Sequence, residues 1–394
     1  MSIYYLIFMK NGLDVSKLIK FTKSLVHIPS FSTGEQVVVA RVVQEMQQLG
    51  FDRAWVDEYG SAIGVIEGGH SGSTLLLDAH CDTVGAIPSD WSHDPFGAEI
   101  VGDRMYGRGT VDTKGNLAAM VYAAASVDRS RLAGRVVVSA TVNEELMEGP
   151  TLKAVMDAVH PDGVVIGEAT RLNLNRGGRG RAEVVIETRG RSAHSSSPQA
   201  GLCAIHEMIK VIQAVESLEV QVDPLLGAGF MVLTDMISDP YPGHSVIPNR
   251  CRVTYDRRLL VGESMASVLE RINGCEGLQG IDYSASILYG EEKTYTGAEL
   301  KMHKFYPAWK FAEEHDLVQS ALQGLRAAGL NPSVGAYRFC TNAAYSAGTA
   351  NIPTVGFGLG AEEDAHTVDE HINLKDLQQA AMGYTGIIKA VLNF

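Results

Sequence analysis

Two short segments of the chain carry residues that commonly bind metal ions. In the first, His80 and Asp82 follow the apolar run at residues 75–77. Residues i and i+2 of an extended chain point the same way, so these two side chains share one face. A carboxylate that accepts one imidazole N–H leaves the other ring nitrogen free for a metal ion. A buried histidine that ends a strand and binds nothing explains this pair equally well.

The second segment contains a tight turn followed by an acidic residue. Gly107 and Gly109 flank Arg108, and Asp112 precedes residues 116–125, whose composition favours a helix. A carboxylate near the start of a helix commonly serves as its cap. Asp112 taken alone therefore does not indicate a site.

Three further apolar runs end in acidic or imidazole side chains. They cover residues 135–142, 163–166 and 353–357, and they lead into Glu144 with Glu145, into Glu168 and, through a glycine-rich loop, into His366. In open α/β sheets, ligands bind beyond the carboxyl ends of the strands. Four apolar strands that each end in His, Asp or Glu predict one common site.

Two imidazoles and three carboxylates suit zinc, manganese or cobalt better than calcium, which prefers an all-oxygen shell. One carboxylate can bridge two ions about 3.5–4 Å apart, as in hydrolytic two-metal sites. An ion there lowers the pKa of bound water to roughly 7, and a free carboxylate beside it can act as general base. The predicted ligands are His80, Asp112, Glu145, Glu168 and His366, with Glu144 and Asp82 beside them.

The composition is that of an ordinary globular chain. Its 394 residues allow two domains, and a net charge of −13 argues against nucleic acid or an anionic membrane as the main partner. The five cysteines are scattered and form no CxxC pair, which predicts no disulfide framework and favours a reducing, cytoplasmic location. The apolar run at residues 3–8 is too short to span a bilayer, and Met9 is an alternative start.

The pattern of helices and strands predicts an interrupted α/β domain. Helical segments alternate with apolar strands, which predicts a central, mostly parallel sheet flanked by helices. Alternating strands around a helix then indicate a self-contained inserted α+β domain. The predicted division is residues 1–175 and 292–394 for the catalytic domain and 176–291 for the insertion.

Several motifs together resemble those of the M20 family of metallopeptidases and deacylases, which includes carboxypeptidase G2, succinyl-diaminopimelate desuccinylase and acetylornithine deacetylase. They lie at residues 79–84, 107–115, 143–145, 167–170 and 365–367. The resemblance covers nearly the whole chain in order. Residues 175–181, 256–259 and 339–342 are similar to a branch of hydrolases encoded in selenium- or purine-linked gene clusters.

The resemblance assigns the ligands to two ions. It implies one ion on His80, Asp112 and Glu168 and another on Asp112, Glu145 and His366, with Asp112 bridging. It also implies a cis peptide bond after the bridging residue, between Asp112 and Thr113. The implied metal is zinc, with cobalt or manganese as alternatives.

Other roles follow from the same resemblance. Asp82 would orient His80, and Glu144 would pass a proton from water to the leaving amine. The insertion resembles the family's lid, which commonly also forms the dimer. His194 within it matches a histidine that stabilises the tetrahedral oxyanion, often across that dimer. Asn249 and Arg258 match positions that contact a substrate carboxylate. Thr113 and Asn342 stand where many relatives carry Asp, and Asn342 is expected at the substrate pocket.

The function implied is hydrolysis of the amide bond of a small N-acyl amino acid or short peptide by a homodimer. Two alternatives stay open: cleavage of a carbamoyl or ureido C–N bond on the same site, and a metal-binding scaffold without catalysis. Release of ammonia rather than a free α-amine would indicate the first alternative. Retention of Glu144, His194 and every ligand argues against the second.

Overall fold

The computed structural model describes residues 13–392, so the N-terminal apolar run and Met9 lie outside the described residues. The α-helices in this range are α1 (Val15–Val26), α2 (Gln36–Gln48), α3 (Gly115–Ala125), α4 (Pro150–Val159), α5 (Ala204–Glu216), α6 (Met265–Asn273), α7 (Asp316–Ala327) and α8 (Leu374–Leu392). None of them is long and apolar enough to cross a membrane.

The strands of the same range fall into five sheets. They are β1 (Arg53–Val56), β2 (Ala62–Glu67), β3 (His70–His80), β4 (Ile100–Val101), β5 (Arg104–Tyr106), β6 (Ala133–Thr141), β7 (Gly163–Ile166), β8 (Leu174–Gly178), β9 (Gly180–Arg189), β10 (Gln221–Asp223), β11 (Gly227–Gly229), β12 (Met231–Asp239), β13 (Arg250–Leu259), β14 (Tyr283–Ile287), β15 (Tyr289–Lys293), β16 (Glu299–His303), β17 (Phe305–Tyr306), β18 (Trp309–Lys310), β19 (Val334–Tyr337), β20 (Thr354–Phe357) and β21 (His371–Asn373).

The largest sheet has nine strands in the order β1-β2-β6-β3-β7-β20-β8-β18, with β19 also paired to β8. Its four central strands, β6, β3, β7 and β20, run parallel to one another. Their apolar residues are buried, as expected for parallel strands covered on both faces. Their carboxyl ends therefore lie along one edge of the sheet.

Helices cover both faces of this sheet. Leu75 and Leu77 of β3 pack into a core with α1, α2, α3, α7 and α8, whereas Leu76 packs into a second core with α4. This alternation follows from the two-residue period of a strand. The predicted central, mostly parallel sheet flanked by helices is confirmed.

A second sheet of five strands has the order β12-β13-β9-β14, with β17 paired to β9. Helices α5 and α6 pack on one of its faces around a separate apolar core. Its strands lie between Gly180 and Tyr306. Between β15 and β16, the hydroxyl group of Tyr295 donates a hydrogen bond to the carbonyl oxygen of Gly60, 3.0 Å away. The division of the chain at 175/176 and 291/292 stays a prediction.

Candidate metal centre

The carboxyl ends of the four parallel strands carry the predicted ligands. His80 is the last residue of β3, Glu145 follows β6, Glu168 follows β7, and His366 lies in the loop after β20. Asp112 lies in an irregular turn before α3, next to a cis peptide bond with Thr113, as the resemblance implies. Sheet topology thus brings residues that are far apart in the sequence to one edge.

These five side chains form two groups that share one carboxylate. The first is His80, Asp112 and Glu168, and the second is Asp112, Glu145 and His366; within each, the possible ligand atoms lie within 4.8 Å of one another. Nε2 of His80 is 2.8 Å from Oδ1 of Asp112, and Nε2 of His366 is 3.0 Å from Oδ2. Asp112 therefore presents one oxygen to each group, as a bridging ligand does.

The remaining distances complete the two groups. Nε2 of His80 is 3.4 Å from Oε1 of Glu168, and Nε2 of His366 is 3.1 Å from Oε1 of Glu145. Cys81 is buried and belongs to neither group found among residues 13–392, in agreement with strand alternation.

Electrostatics favour cations at this edge. Burial raises the pKa of Glu168 and of Glu145, in both cases reinforced by the charge of Asp112. Burial also acts to raise the pKa of Asp112, but its hydrogen bonds to His366 and His80 outweigh burial and lower it. The hydrogen bonds to Asp112 and Glu145 raise the pKa of His366 to about 10. Buried carboxylates need a cation for compensation, and this mixed imidazole and carboxylate donor set fits two divalent metal ions.

Glu144 lies beside the ligands without being one of them. Its side chain is buried, and its Oε2 is 4.0 Å from Nε2 of His80. Asn143 has φ of 57°, a left-handed conformation that Asn tolerates better than most residues. The chain turns there, so that Glu144 and Glu145 can both reach the cluster, which two neighbours on a straight strand cannot do. Burial raises the pKa of Glu144 well above its ordinary value.

Asp82 acts on the cluster mainly through the neighbouring turn. Nδ1 of His80 is 2.9 Å from the backbone carbonyl oxygen of Asp82 and 3.4 Å from its Oδ1. The carboxylate of Asp82 accepts hydrogen bonds from the backbone N–H groups of Glu144 (3.2 Å) and Glu145 (3.1 Å) and from the hydroxyl of Ser32 (2.7 Å). Both the backbone carbonyl and the carboxylate of Asp82 thus face Nδ1 of His80, and the carboxylate also holds the Glu144–Glu145 turn.

Two buried carboxylates near the ligands have no sequence motif of their own. Glu370 accepts hydrogen bonds from the backbone N–H groups of Val111 (2.7 Å) and Asp112 (3.1 Å) and from the guanidinium of Arg108 (2.7 Å). Burial and then the charge of Asp112 raise the pKa of Glu370 to about 7. It thereby supports the turn that carries Asp112, the predicted bridging ligand.

Glu35 supports the other ligand turn. Its Oε1 accepts a hydrogen bond from the backbone N–H of Asn143 (3.0 Å), and its Oε2 has no partner among the described residues. The only sequence signal for Glu35 is its place after a turn-rich segment, and Glu370 lies more than 250 residues from the turn that it supports.

The substrate-pocket role of Asn342 stays a prediction, and the contacts of its side chain lie within the protein. It is buried, and its amide nitrogen donates to Asp78 (3.1 Å) and to the hydroxyl of Thr141 (3.0 Å). Its amide oxygen accepts from the backbone N–H of Gly149 (2.7 Å). Both amide hydrogens are therefore used within the protein, and the side chain cannot donate to a substrate.

The predicted residues of the inserted region lie apart from the cluster. His194 is exposed; its Nδ1 is 2.8 Å from the hydroxyl of Ser196, and its backbone forms a bridge with Val246. Asn249 is exposed, and Nε of Arg258 is 2.8 Å from Oδ1 of Asp256. Among residues 13–392, His194, Asn249 and Arg258 form no hydrogen bond or ion pair with the five predicted ligands.

The strand ends of the parallel sheet bring together two ligand groups that share one carboxylate, and a free buried glutamate lies beside them. This arrangement defines the class of two-metal hydrolases. The family model described as peptidase family M20/M25/M40 matches residues 76–390, and the chain belongs to this family. It is therefore a hydrolase of amide bonds.

Individual proteins show the same relationship. The uncharacterized protein YgeY of Escherichia coli K12 is 32% identical over 378 residues, which cover 93% of each chain. Acetylornithine deacetylase of Aliivibrio salmonicida is 28% identical over 87% of this chain and 88% of its own. The structure of Bacillus subtilis YXEP, described as a dinuclear metal-binding peptidase, aligns with a TM-score of 0.70 at 15% identity, over 96% of this chain and 98% of that one. At that identity the alignment shows the shared fold.

Proposed function

We propose that this protein is a dinuclear metal-dependent amidohydrolase that cleaves the amide bond of a small N-acyl amino acid or short peptide. The observation that carries this proposal is the sharing of Asp112 between two ligand groups, with Glu144 left free beside them. The relative named as acetylornithine deacetylase supports a small acylated amino acid as the substrate class.

The proposed cofactors are two zinc ions, with cobalt or manganese as alternatives. His80 and Glu168 would hold one, Glu145 and His366 the other, and Asp112 both. One imidazole and carboxylate oxygens for each ion suit these metals. Such ions, when bound, lower the pKa of water and polarise a carbonyl group.

The side chains around the ligands have roles of their own. We assign proton transfer to Glu144, which would accept the proton of the attacking water and return it to the departing amine nitrogen. A buried carboxylate with a raised pKa suits both halves of this transfer. Asp82 and Glu35 would fix the position of Glu144 through the backbone of its turn.

We also propose a homodimer formed through the inserted region. Strand β12 pairs with β13 on one side and is the edge of its sheet. Its side chains Val232, Met236 and Ile237 are 47%, 41% and 51% exposed. An edge strand with exposed apolar side chains can pair with another chain. His194 would then complete the site of the partner, and the five free cysteines agree with a cytoplasmic location.

The test combines metal content with turnover for the wild type and for Glu144→Gln. The substrates are N-acyl amino acids, dipeptides and ureido acids. We expect two ions per chain in both proteins, release of a free α-amine by the wild type, and a 10²–10⁴-fold lower rate for Glu144→Gln.

The other outcomes separate the alternatives. Release of ammonia from ureido acids would indicate the carbamoyl or ureido hydrolase. Full metal content without turnover of any substrate would indicate a scaffold. Absence of divalent metal from the wild type, after incubation with zinc, cobalt and manganese, would contradict the proposed mechanism.

A further inference from the structure

A network of charged side chains joins the turn of Glu144 to the second sheet. Arg181 lies near the start of β9, and its guanidinium contacts three carboxylates. Its Nη1 is 3.0 Å from Oε1 of Glu148, its Nη2 is 2.7 Å from Oε1 of Glu183, and its Nε is 3.0 Å from Oδ2 of Asp256. Glu183 and Asp256 belong to strands of the second sheet, whereas Glu148 lies four residues after Glu144. Arg181 therefore connects the second sheet directly to the segment that contains Glu144.

Among residues 13–392, Arg181 is the only cation that pairs with Glu148, whereas the two carboxylates of the second sheet each have another one. Nζ of Lys304 lies 3.4 Å from one of them, and Nε of Arg258 lies 2.8 Å from the other. The side chain of Glu148 is buried, and its Oε2 has no hydrogen-bond partner in the described part of the chain. Removal of one partner from a buried ion pair leaves the other charge uncompensated. Loss of Arg181 therefore affects Glu148 more than the two other carboxylates.

The segment from Glu144 to Glu148 is short and closed. The backbone N–H of Met147 donates to the carbonyl oxygen of Glu144, 3.2 Å away, which forms a tight turn. The side chain of Met147 lies in one buried apolar cluster with Tyr306 of β17, a strand that pairs with β9. The carboxylate of Asp82 holds the beginning of this turn. Its end is held by the ion pair of Glu148, so a displacement of Glu148 is transmitted to Glu144 through only a few residues.

We infer that Arg181 is a positioning residue that holds Glu144 in place for proton transfer by anchoring Glu148 to the second sheet. A group that transfers a proton must lie within hydrogen-bond reach of the reacting atoms, and a displacement of about 1 Å can lower the rate about 100-fold. In the described part of the chain, neither Arg181 nor Glu148 forms a hydrogen bond or ion pair with a predicted metal ligand. We therefore expect metal binding to be independent of both. This inference rests on the proposed function and adds a role of the inserted region in positioning the general base.

The test compares Arg181→Met, Glu148→Met and the double variant with the wild type. Met is a flexible, uncharged side chain that cannot form the ion pair. We expect every variant to bind as much metal as the wild type. In each variant kcat should fall about 10- to 100-fold while KM stays within about twofold of the wild-type value, because the removed contact positions Glu144 and does not bind substrate.

Thermal stability separates positioning from general support of the fold. Arg181→Met leaves Glu148 without a cation and should lower Tm, whereas the double variant also removes the carboxylate and should recover most of that loss. The kcat of the double variant should stay about 10- to 100-fold below that of the wild type, because the anchor is still missing. Recovery of kcat together with Tm in the double variant would overturn the inference, and so would a kcat that none of the three variants changes. If Arg181→Met does not fold, Glu148→Met and the double variant give the same test.

Glu183→Met is the matched control, because it removes a carboxylate from the same guanidinium but leaves the contact with Glu148 in place. The turn of Glu144 then keeps both of its anchors, and kcat should stay within about twofold of the wild-type value. A loss of kcat in Glu183→Met as large as in Glu148→Met would overturn the inference.

A second measurement separates this inference from the proposed function. If the wild type hydrolyses no amide, the proposed function fails. Crystal structures of the metal-loaded wild type and of Arg181→Met then give the distance from Oε2 of Glu144 to Nε2 of His80, which is 4.0 Å in the present structure. We expect the carboxylate of Glu144 to shift by about 1 Å or more in Arg181→Met, while the five predicted ligands keep their positions. An unchanged position of Glu144 would refute the positioning role of Arg181.

Discussion

The edge of the large sheet and the inserted region present their polar residues in different ways. At the edge, five side chains from four strand ends and one turn form two compact groups within a single chain. In the inserted region, His194 is exposed, its ring is hydrogen-bonded to Ser196 of its own loop, and its backbone forms a bridge with Val246. The five predicted ligands come together within one chain, whereas the contribution proposed for His194 would require closure of the inserted region or a second copy.

This difference follows from topology. The carboxyl ends of parallel strands meet at one edge by construction, and buried carboxylates then fix the turns between them. His194 lies in a loop of the sheet that packs, with α5 and α6, around a core separate from that of the large sheet. Substitutions in the two regions should therefore have different consequences.

The largest effect is expected from Asp112→Asn. Asp112 is the one residue common to both ligand groups among residues 13–392, and Asn removes its charge and one of its two carboxylate oxygens. We expect metal content after dialysis to fall from two ions per chain to one or none, and turnover to fall more than the 10²–10⁴-fold expected for loss of the general base. Mass spectrometry of the metal measures this, with Asp103→Asn, at an exposed position, as the control. Retention of two ions per chain in Asp112→Asn would contradict the bridging role of Asp112.

His194→Ala should leave metal content unchanged and lower kcat about 10²–10³-fold, the usual loss for one oxyanion donor. If His194 acts across a dimer, mixing His194→Ala with Glu144→Gln creates one intact site in each mixed dimer. We then expect recovery of about a quarter of wild-type activity, because half of the dimers are mixed and one of their two sites is intact. A His194→Ala/Glu144→Gln double variant is the control, since it can restore nothing. If the subunits exchange and no activity is recovered, His194 does not act in the site of the partner subunit.

Asp82→Asn should have an intermediate effect. The carboxylate of Asp82 accepts hydrogen bonds from two successive backbone N–H groups, and an amide nitrogen in place of one oxygen cannot accept. We expect a 10–100-fold loss of metal affinity, the usual effect of removing a partner that orients ligands. Ser32→Ala removes only a donor to the same carboxylate and should cost less. Equal losses for the two variants would show that the N–H contacts are unimportant.

Four of the five predicted ligands were predictable from the sequence because each stands at or beyond the end of an apolar strand, and parallel strands end at a common edge. Asp112, in the turn before α3, has no such signal of its own. The alternation of side chains along a strand also predicted that the backbone turns at Glu144 and Glu145. It could not predict that the carboxylate of Asp82 holds this turn, because that contact joins segments 62 residues apart. Nor could it predict that the amide of Asn342 is used by Asp78 and Thr141, which lie 264 and 201 residues away.

Glu35 and Glu370 show most clearly which site residues cannot be predicted from the sequence. Their function at the edge arises from burial and from backbone partners distant in sequence, so neither residue type nor spacing marks them. Burial itself, however, leaves a measurable trace, because a buried carboxylate titrates differently in the folded and unfolded chains. The prediction with the smallest expected effect tests this difference in titration.

Glu35→Gln should change how stability depends on pH. Burial and then the charge of Asp82 raise the pKa of Glu35 from 4.5 to about 7. Between these values the folded protein retains a proton that the unfolded chain has released, so wild-type stability falls as pH rises through this window. Gln keeps an oxygen for the N–H of Asn143 and carries no charge. In the metal-free protein, we expect Glu35→Gln to gain up to about 3 kcal/mol in unfolding free energy relative to the wild type between pH 4 and pH 8. Urea denaturation at both pH values measures this gain, and a difference between the two proteins that does not vary with pH would show that the pKa of Glu35 is the same in the folded and unfolded chains.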